Sequence, residues 1–310
     1  MKAFLRVLVS ATIVAFLVRK FGAGEVVGRI AASDWRWVIV GLAAFSFGQV
    51  VSSVRFVWAL ESLGRRISLT DSLRVHYLGL WFNQVLPTSM GGDVVKVLVL
   101  RGNYGTSRAV RVTLLDRLSG YLFLALALGL TAPLYFERFA SPYMGWIACG
   151  VFMATACFVA LAIAAARSSA VRRFSHVRIR GALLFALDIP RLLRGRYLWQ
   201  QIGSSAVVHL SGITAFWALA HALEIGAPFL DHFLVVPLVF LVALLPVSFA
   251  GWGLRETGAI GIYGLVGISP QDALAVSLLF GMVLVMAAVP GGILWLFPNK
   301  GAKDSRHSKF

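Results

Sequence analysis

Long apolar runs follow one another along this sequence, and short polar segments separate them. Runs of about 20 apolar residues are long enough to cross a bilayer as α-helices. We predict six spanning helices from these runs: 3–18, 37–60, 112–135, 143–166, 204–223 and 273–297. The pattern indicates an all-α integral membrane protein in which residues 1–310 form a single polytopic domain.

Two further apolar stretches, 77–86 and 233–245, are too short to cross a bilayer. Each ends in a motif that contains proline and glycine: LPTSMGGDVVKV at 86–97 and LPVSFAGWGLRE at 245–256. Proline and glycine end helices, and non-helical backbone is tolerated at membrane depth only inside protein or beside a water-filled cavity. We therefore predict two re-entrant or broken helices.

The two motifs lie 159 residues apart, counted from Leu86 to Leu245. Predicted spans flank each motif at similar distances, which gives half-repeats of about 1–135 and 143–297. Three spans separate the motifs, so the halves are predicted to have opposite orientations, and inverted repeats of this kind build transporter substrate sites at their broken helices. The alternative is a chance recurrence in a leucine-rich chain, with glycine and proline serving only close helix packing.

The composition agrees with a membrane protein. Hydrophobic residues make up 59% of the chain and charged residues 14%, and the mean hydropathy is +0.81. The formal net charge is +16, but the basic residues lie between the apolar runs instead of forming one solvated basic domain. We expect attraction to anionic lipid headgroups and no binding of nucleic acid.

Arginine is concentrated in a segment of about 167–200, where it alternates with apolar and aromatic residues. Loops rich in lysine and arginine stay in the cytoplasm, so we predict a cytoplasmic amphipathic segment there. The polar tail 298–310 then lies on the same side, and six spans place the N-terminus there too. The loop 19–36 is basic although this topology places it outside. The first helix lacks a clear cleavage site, and we expect it to be retained.

The first motif carries candidate ligand-binding residues. A helix that restarts after a break presents free N–H groups and a partial positive charge, and both attract phosphate or carboxylate. Gly91 and Gly92 would let the backbone approach such an anion, and Lys96 lies one turn further on. We expect Asp93 to pair with a cation or to relay a proton.

The second motif provides similar residues in Gly251, Gly253 and Arg255, followed by the acid Glu256. Glycine again allows close approach of a ligand, and Arg255 corresponds to the lysine of the first motif. As in the first motif, the alternative is that these small residues only let short helices pack.

Charged residues inside the predicted spans are a further signal, since each costs about 2.5–3.5 kcal/mol near the centre of a lone helix. Asp116 and Arg117 begin the third span, and Arg55 lies near the end of the second. We interpret them as the wall of a basic, polar cavity for an anionic headgroup. The alternative is snorkelling to the interface combined with structural ion pairs. For His209, in the fifth span, an interhelical hydrogen bond is the favoured role.

The sequence contains no recognisable motif for catalysis or for a cofactor. GxSxG, Walker A and HExxH stretches are absent, and no group of His, Asp and Glu has zinc-ligand spacing. We therefore predict no catalytic residue, no bound metal and no cofactor.

Three segments, FNQVLPTSMGGDVVKV, VTLLDRLSG and PVSFAGWGLRE, resemble the signatures of a flippase-like family typified by the membrane portion of lysylphosphatidylglycerol synthases. The resemblance covers nearly the whole chain. Its most specific positions are Phe82, Asn83, Leu86, Pro87, Gly91, Gly92, Asp93, Asp116, Arg117, Gly120, Arg255 and Glu256. Lys96 stands where arginine is expected, which keeps the charge but loses the bidentate fork. No aminoacyl-transferase domain follows the last span, so we expect no lipid aminoacylation by this chain.

The resemblance implies a flippase that moves an anionic or polyprenyl-linked lipid, with a phosphorylated or glycosylated headgroup, between the leaflets of a bacterial or archaeal cytoplasmic (inner) membrane. The residues and the resemblance together give these candidate substrate-binding residues: Arg55, Asn83, Gly91, Gly92, Asp93, Lys96, Asp116, Arg117, Gly251, Gly253, Arg255 and Glu256. Two alternatives remain open, a membrane-embedded transferase acting on a lipid phosphate and a non-transporting partner of a lipid-modifying enzyme. A homo-oligomer is also compatible with the sequence.

Overall fold

The computed structural model describes residues 2–86, 90–139, 142–168, 180–244 and 250–297. Within these residues the chain forms α-helices and one 3₁₀ turn, Gly264–Val266, and no strand. The helices are α1 (Lys2–Lys20), α2 (Ala23–Ala31), α3 (Trp35–Ser62), α4 (Leu69–Val85), α5 (Gly91–Tyr104), α6 (Thr106–Arg138), α7 (Tyr143–Arg167), α8 (Arg180–Leu192), α9 (Arg196–Ala222), α10 (Phe229–Ala243), α11 (Leu254–Tyr263) and α12 (Pro270–Leu296). The predicted all-α membrane fold is confirmed.

Five helices in the described residues are long and apolar enough to cross a membrane: α3, α6, α7, α9 and α12. They coincide with five of the six predicted spans. The remaining predicted span, 3–18, forms helix α1, but α1 is not one of the five helices that are long and apolar enough to cross a membrane. The reason is its charge, because 19 residues include two lysines and two arginines, and each is costly within a bilayer.

The spanning helices extend beyond the apolar runs from which they were predicted. α3 begins at Trp35, where the Asp34 side chain accepts a hydrogen bond from the backbone N–H of Arg36 and caps the helix. α6 begins at Thr106, and its first turns carry Arg108 before the apolar run starts. Basic side chains reach the membrane interface from such turns, so hydropathy marks the part of a helix in hydrocarbon and not its full length.

Each predicted broken element consists of two separate helices, α4 with α5 and α10 with α11. The prolines between them, Pro87 and Pro246, lie outside the described residues. α4 begins eight residues before the predicted start at 77, because the hydroxyl of Ser68 accepts a hydrogen bond from the N–H of Asp71 and caps the helix there.

α3 and α9 form the largest contact between two helices in the described residues and join the two halves of the chain. Their backbones approach closely, since a Cβ atom added to Gly48 would lie 2.8 Å from the Cβ of Ser211. Small residues at such contacts allow the packing that holds helices together in lipid. α4 packs against α3, α5 and α12, while α10 packs against α9 and α11. α4 and α10 therefore both lie beside the central α3–α9 pair.

α8 lies in the arginine-rich segment predicted at about 167–200. Its Asp188 is completely buried and forms ion pairs with Arg111 of α6 and with Arg191 of α8 itself. Ile189 and Leu192 pack into an apolar cluster with residues of α3 and α6. These contacts fix α8 against the bundle. The spanning helix α9 already begins within the predicted segment, while residues 169–179 and the tail 298–310 lie outside the described residues.

Candidate functional site

A cavity of about 410 Å³ lies where the two halves of the chain meet. Its wall is formed by α3, α4 and α6 from the first half and by residues of α9, α10, α11 and α12 from the second. Three arginines in the described residues line it, Arg55 on α3, Arg117 on α6 and Arg255 on α11. Much of the remaining wall is apolar, including Phe45 and Phe280. The cavity therefore combines cationic hydrogen-bond donors with a hydrocarbon surface.

Arg55 is buried and connects three helices. Its Nε donates to Oδ1 of Asp116 on α6 over 2.9 Å. Its Nη1 donates to the Ser205 hydroxyl on α9 over 3.1 Å, and its Nη2 donates to the Ser52 hydroxyl on α3 over 3.3 Å. Such hydrogen bonds offset the cost of removing a charged pair from water.

Lys96 lies on the other side of the same carboxylate. Its Nζ is 3.8 Å from Oδ2 of Asp116 and 3.3 Å from Nδ1 of His76 on α4. Because a lysine ammonium group only donates, Nδ1 of His76 is the acceptor in this contact. The other ring nitrogen, Nε2, is 3.0 Å from Oε1 of Gln49, so the imidazole continues the network to α3. Asp116 is thus the shared counter-ion of two cations on different helices.

Arg117 forms an ion pair with Asp93, which lies in the first turn of α5. Its Nη1 also donates to the hydroxyl of Tyr121 over 3.4 Å, and Tyr121 is itself part of the cavity wall. The side chains of Arg117 and Asp93 are 25% and 17% exposed, so this pair is more open than the Arg55–Asp116 pair, at 7% and 6%. This ion pair joins α6 to the first turn of α5.

Arg255 and Glu256 form the counterpart in the second half and are both almost completely buried. Oε1 of Glu256 lies 2.5 Å from Nη2 and 3.1 Å from Nε of Arg255, and it also accepts from the Ser277 hydroxyl over 3.2 Å. Oε2 of Glu256 accepts from the backbone N–H of Gly253 over 2.6 Å, which caps the start of α11. The Arg255 guanidinium lies 4.8 Å from the ring centre of Trp252.

Each arginine of the cavity wall therefore has a carboxylate beside it. The cations Arg55, Lys96, Arg117 and Arg255 outnumber the carboxylates Asp93, Asp116 and Glu256 by one. In a low-dielectric site an excess positive charge of this kind favours an anion. The arrangement supplies donors for an anionic group without leaving the arginines bare when that group is absent.

The family described as lysylphosphatidylglycerol synthase TM region matches residues 3–291. The chain belongs to this family. The resemblance seen in the sequence is thereby confirmed, and membership makes the chain a multi-pass membrane protein linked to lipid metabolism or lipid transport. No curated protein and no solved structure matches it.

The candidate residues of this family member fall into two groups around the cavity. Those in its wall are Arg55, Asn83, Arg117, Gly251 and Arg255. Asp93, Asp116 and Glu256 pair with the wall arginines, and Lys96 shares Asp116. Gly253 has a φ of +86°, a conformation that glycine adopts without strain, and its N–H is held by the Glu256 side chain. The residues of this second group therefore orient the hydrogen-bond donors of the wall and do not themselves line the cavity.

Gly91 and Gly92 have a different position from the one expected of ligand-binding glycines. The N–H of Gly92 donates to Oδ1 of Asn83 over 2.7 Å, so an internal acceptor already occupies it. A Cβ atom added to Gly92 would lie 2.0 Å from the carbonyl oxygen of Gly79 on α4. A Cβ atom added to Gly91 would likewise lie too close to the side chain of Leu86. Both glycines therefore fit the alternative interpretation of the motif, in which small residues let α5 pack closely against α4.

Three residues that contribute to the site were not predicted from the sequence: His76, Trp252 and Ser277. His76 could have been found, because it shares one face of α4 with Gly79 and Asn83 at helical spacing. Ser277 is a single polar residue in an apolar run, and nothing in its spacing distinguishes it. For His209 the expected interhelical hydrogen bond is present, since its Nε2 lies 3.0 Å from the carbonyl oxygen of Gly120.

Proposed function

We propose that this protein is a lipid flippase that moves an anionic or polyprenyl-linked lipid between membrane leaflets. The observation that carries the proposal is the cavity shared by the two halves, with Arg55, Arg117 and Arg255 in its wall. Guanidinium groups match the geometry of phosphate oxygens and form paired, charge-assisted hydrogen bonds with them. The apolar part of the wall suits the hydrocarbon next to a headgroup. Membership of a family linked to lipid metabolism or lipid transport supports a lipid as the ligand.

In this proposal the carboxylates act as exchangeable partners of the arginines. Asp93 and Glu256 neutralise Arg117 and Arg255 while the cavity is empty. An entering phosphate takes over part of that role, so neither state contains an uncompensated buried cation. Exchange of one anion for another keeps binding weak enough for release into the opposite leaflet.

We further propose that the halves form an inverted repeat with two re-entrant elements. The helix order α3–α4–α5–α6 is matched by α9–α10–α11–α12, with the break at the corresponding place in each. Lys96 and Arg255 lie at the same 159-residue offset as the motifs that contain them. Repeats related in this way give transporters two interchangeable openings to one central site. The contribution of both halves to one cavity supports such a mechanism.

The proposed location is the cytoplasmic membrane of a bacterium or archaeon, with both termini in the cytoplasm. The support is the concentration of arginine in the segment between α7 and α9 and of lysine in the C-terminal tail. Labelling of a cysteine introduced at Ser175 in intact cells tests this topology. The proposal requires that a membrane-impermeant reagent does not reach that position from outside.

The function is tested with purified protein in vesicles of phosphatidylcholine that contain a trace of fluorescent phosphatidylglycerol. We expect the protein to speed exchange of the fluorescent lipid between leaflets, measured by chemical quenching of the outer leaflet, and to leave the lipid chemically intact. Conversion of the labelled lipid to a new product, without faster exchange, would instead favour a membrane-embedded transferase. Neither exchange nor conversion with any of several anionic lipids would favour a non-transporting partner of a lipid-modifying enzyme.

A further inference from the structure

Two further cavities lie on the side of α6 and α9 that faces away from the central cavity. The first, of about 410 Å³, is enclosed by α6, α7, α9 and the end of α8, and its wall is almost entirely apolar. Ala156 and Ala160 of α7 line it and are exposed, so it opens at the surface of the bundle. The central cavity shares none of the residues that line it.

The second cavity adjoins the first and is strongly basic. It has a volume of about 640 Å³ and lies between α7 and α8, and the arginines of the described residues that line it are Arg167, Arg191 and Arg194. No acidic residue is part of its described wall. Ile163 and Leu193 line both cavities, so the apolar and the basic cavity lie directly beside each other.

Arg191 is held in position by an ion pair. Nη1 of Arg191 lies 2.6 Å from Oδ1 of Asp188, whose carboxylate is fully buried and also paired with Arg111. Arg191 itself remains 62% exposed, so its other donors face outward. A buried carboxylate that orients an exposed guanidinium gives the basic cavity a donor of fixed position.

We propose that these two cavities form one binding site for an anionic phospholipid, separate from the central cavity. An acyl chain occupies the apolar cavity, and the headgroup phosphate lies among Arg167, Arg191 and Arg194. Charge complementarity selects this ligand, because basic pockets beside membrane helices bind anionic headgroups and each basic side chain contributes about 1 kcal/mol. The apolar cavity directly beside the basic one favours a lipid over free phosphate, which has no hydrocarbon to bury.

The site lies close to the central network through α9. Gln201 lines the apolar cavity, and its Nε2 donates to the carbonyl oxygen of Arg55 over 3.3 Å. Oε1 of Gln201 is buried without a hydrogen-bond partner in the described structure. A bound lipid would therefore pack directly against a side chain that contacts the backbone of a cavity arginine.

The test is native mass spectrometry of the full chain released from nanodiscs of equal phosphatidylglycerol and phosphatidylcholine. Ala160→Trp fills the apolar cavity, and Ala154→Trp is its matched control, because Ala154 is exposed on the same helix but does not line the cavity. Arg194→Gln removes one basic side chain, and Arg101→Gln is its control, an exposed arginine of α5 outside both cavities. Comparing each variant with its control cancels any lipid bound in the central cavity.

We expect Ala160→Trp to retain less lipid than Ala154→Trp by about fivefold, and Arg194→Gln to lower the preference for phosphatidylglycerol over phosphatidylcholine by about fivefold relative to Arg101→Gln. Equal retention in the two tryptophan variants would show that no lipid occupies the apolar cavity. Equal preference in the two glutamine variants would show that the arginines do not select the headgroup. Either result overturns the proposal and leaves the central cavity unaffected, since none of the four residues lines it.

Discussion

The two halves of the chain compensate their buried cations in different ways. In the first half, Asp116 on α6 is the counter-ion of Arg55 on α3 and of Lys96 on α5, so one carboxylate connects three helices. In the second half, Arg255 and Glu256 are consecutive residues of α11, and their contacts outside that helix include the hydroxyl of Ser277 on α12.

This difference indicates that one network holds helices together and that the other exchanges anions. Removing the carboxylate of the first half leaves two cations on different helices without a counter-ion, so the packing of those helices depends on it. The pair of the second half is assembled locally at the start of α11. Because this arginine lies beside its own carboxylate on one helix, we expect it to exchange one anion for another with little change in helix packing. We therefore expect the Arg55–Asp116–Lys96 network to respond to mutation mainly in stability and the Arg255–Glu256 pair mainly in ligand exchange.

Asp116→Asn is expected to have the largest effect on stability. The substitution keeps the shape of the side chain but leaves Arg55 and Lys96 buried without their counter-ion, and breaking a buried pair costs about 3–5 kcal/mol. The free energy of unfolding in detergent measures this. The double variant Asp116→Asn/Arg55→Gln should recover part of the loss, because one of the unpaired cations is removed as well. A single variant as stable as the wild type would show that Asp116 does not hold the helices together.

Glu256→Gln is expected to cost less, about 3 kcal/mol, the low end of the cost of breaking a buried pair, because it leaves one buried cation and not two without a counter-ion. Glutamine still offers an oxygen to the N–H of Gly253, so the cap of α11 remains while the partner of Arg255 loses its charge. Glu256→Ala removes the cap as well and should cost about 1 kcal/mol more. If Glu256→Gln were as destabilising as Asp116→Asn, the contrast between the two halves would be wrong.

Arg117→Gln is expected to lower stability by only about 1 kcal/mol, because its pair with Asp93 is partly exposed. Lipid exchange should nevertheless fall by about tenfold, since a charged hydrogen bond to the headgroup is lost. The two quantities are measured on the same preparation, by unfolding and by leaflet exchange. A variant that loses stability but exchanges lipid at the wild-type rate would assign Arg117 a purely structural role.

Ser277→Ala is expected to have the smallest effect, about 0.5 kcal/mol on unfolding. Its hydroxyl contacts both Arg255 and Glu256, which remain paired with each other when it is removed. Ser52→Ala is the matched change in the first half, where the hydroxyl accepts from Arg55. A loss of several kcal/mol for Ser277→Ala would mean that the Arg255–Glu256 pair is not self-sufficient.

The sequence predicted the features that depend on local pattern. Apolar runs gave the spanning helices, and the Pro/Gly motifs gave the ends of α4 and α10. The sequence also pointed to Arg55 and Arg117 as wall residues of a cavity, because charge within a span is costly and therefore informative, and to Arg255 as a ligand-binding residue of the second motif.

What the sequence could not predict depends on contacts between distant segments. Nothing local indicates that Asp116 serves both Arg55 and Lys96, since helix packing alone brings these residues together. The same applies to Gly92, where glycine permits either a ligand or a neighbouring helix to approach, and only the position of α4 decides between them. The boundary of α4 was missed because its first turns are polar and a serine cap sets its start.

The most direct test of the flippase proposal is leaflet exchange of fluorescent phosphatidylglycerol by Arg255→Gln in proteoliposomes, with Arg101→Gln as the control for loss of one positive charge. Exchange rates are normalised to the amount of folded protein in each preparation, which is determined from the thermal unfolding of each variant. The account predicts that Arg255→Gln slows exchange per folded molecule by about tenfold, because a charged hydrogen bond to the phosphate is lost, while Arg101→Gln exchanges at the wild-type rate. Equal rates in the two variants would contradict the account and leave Arg255 as a structural partner of Glu256.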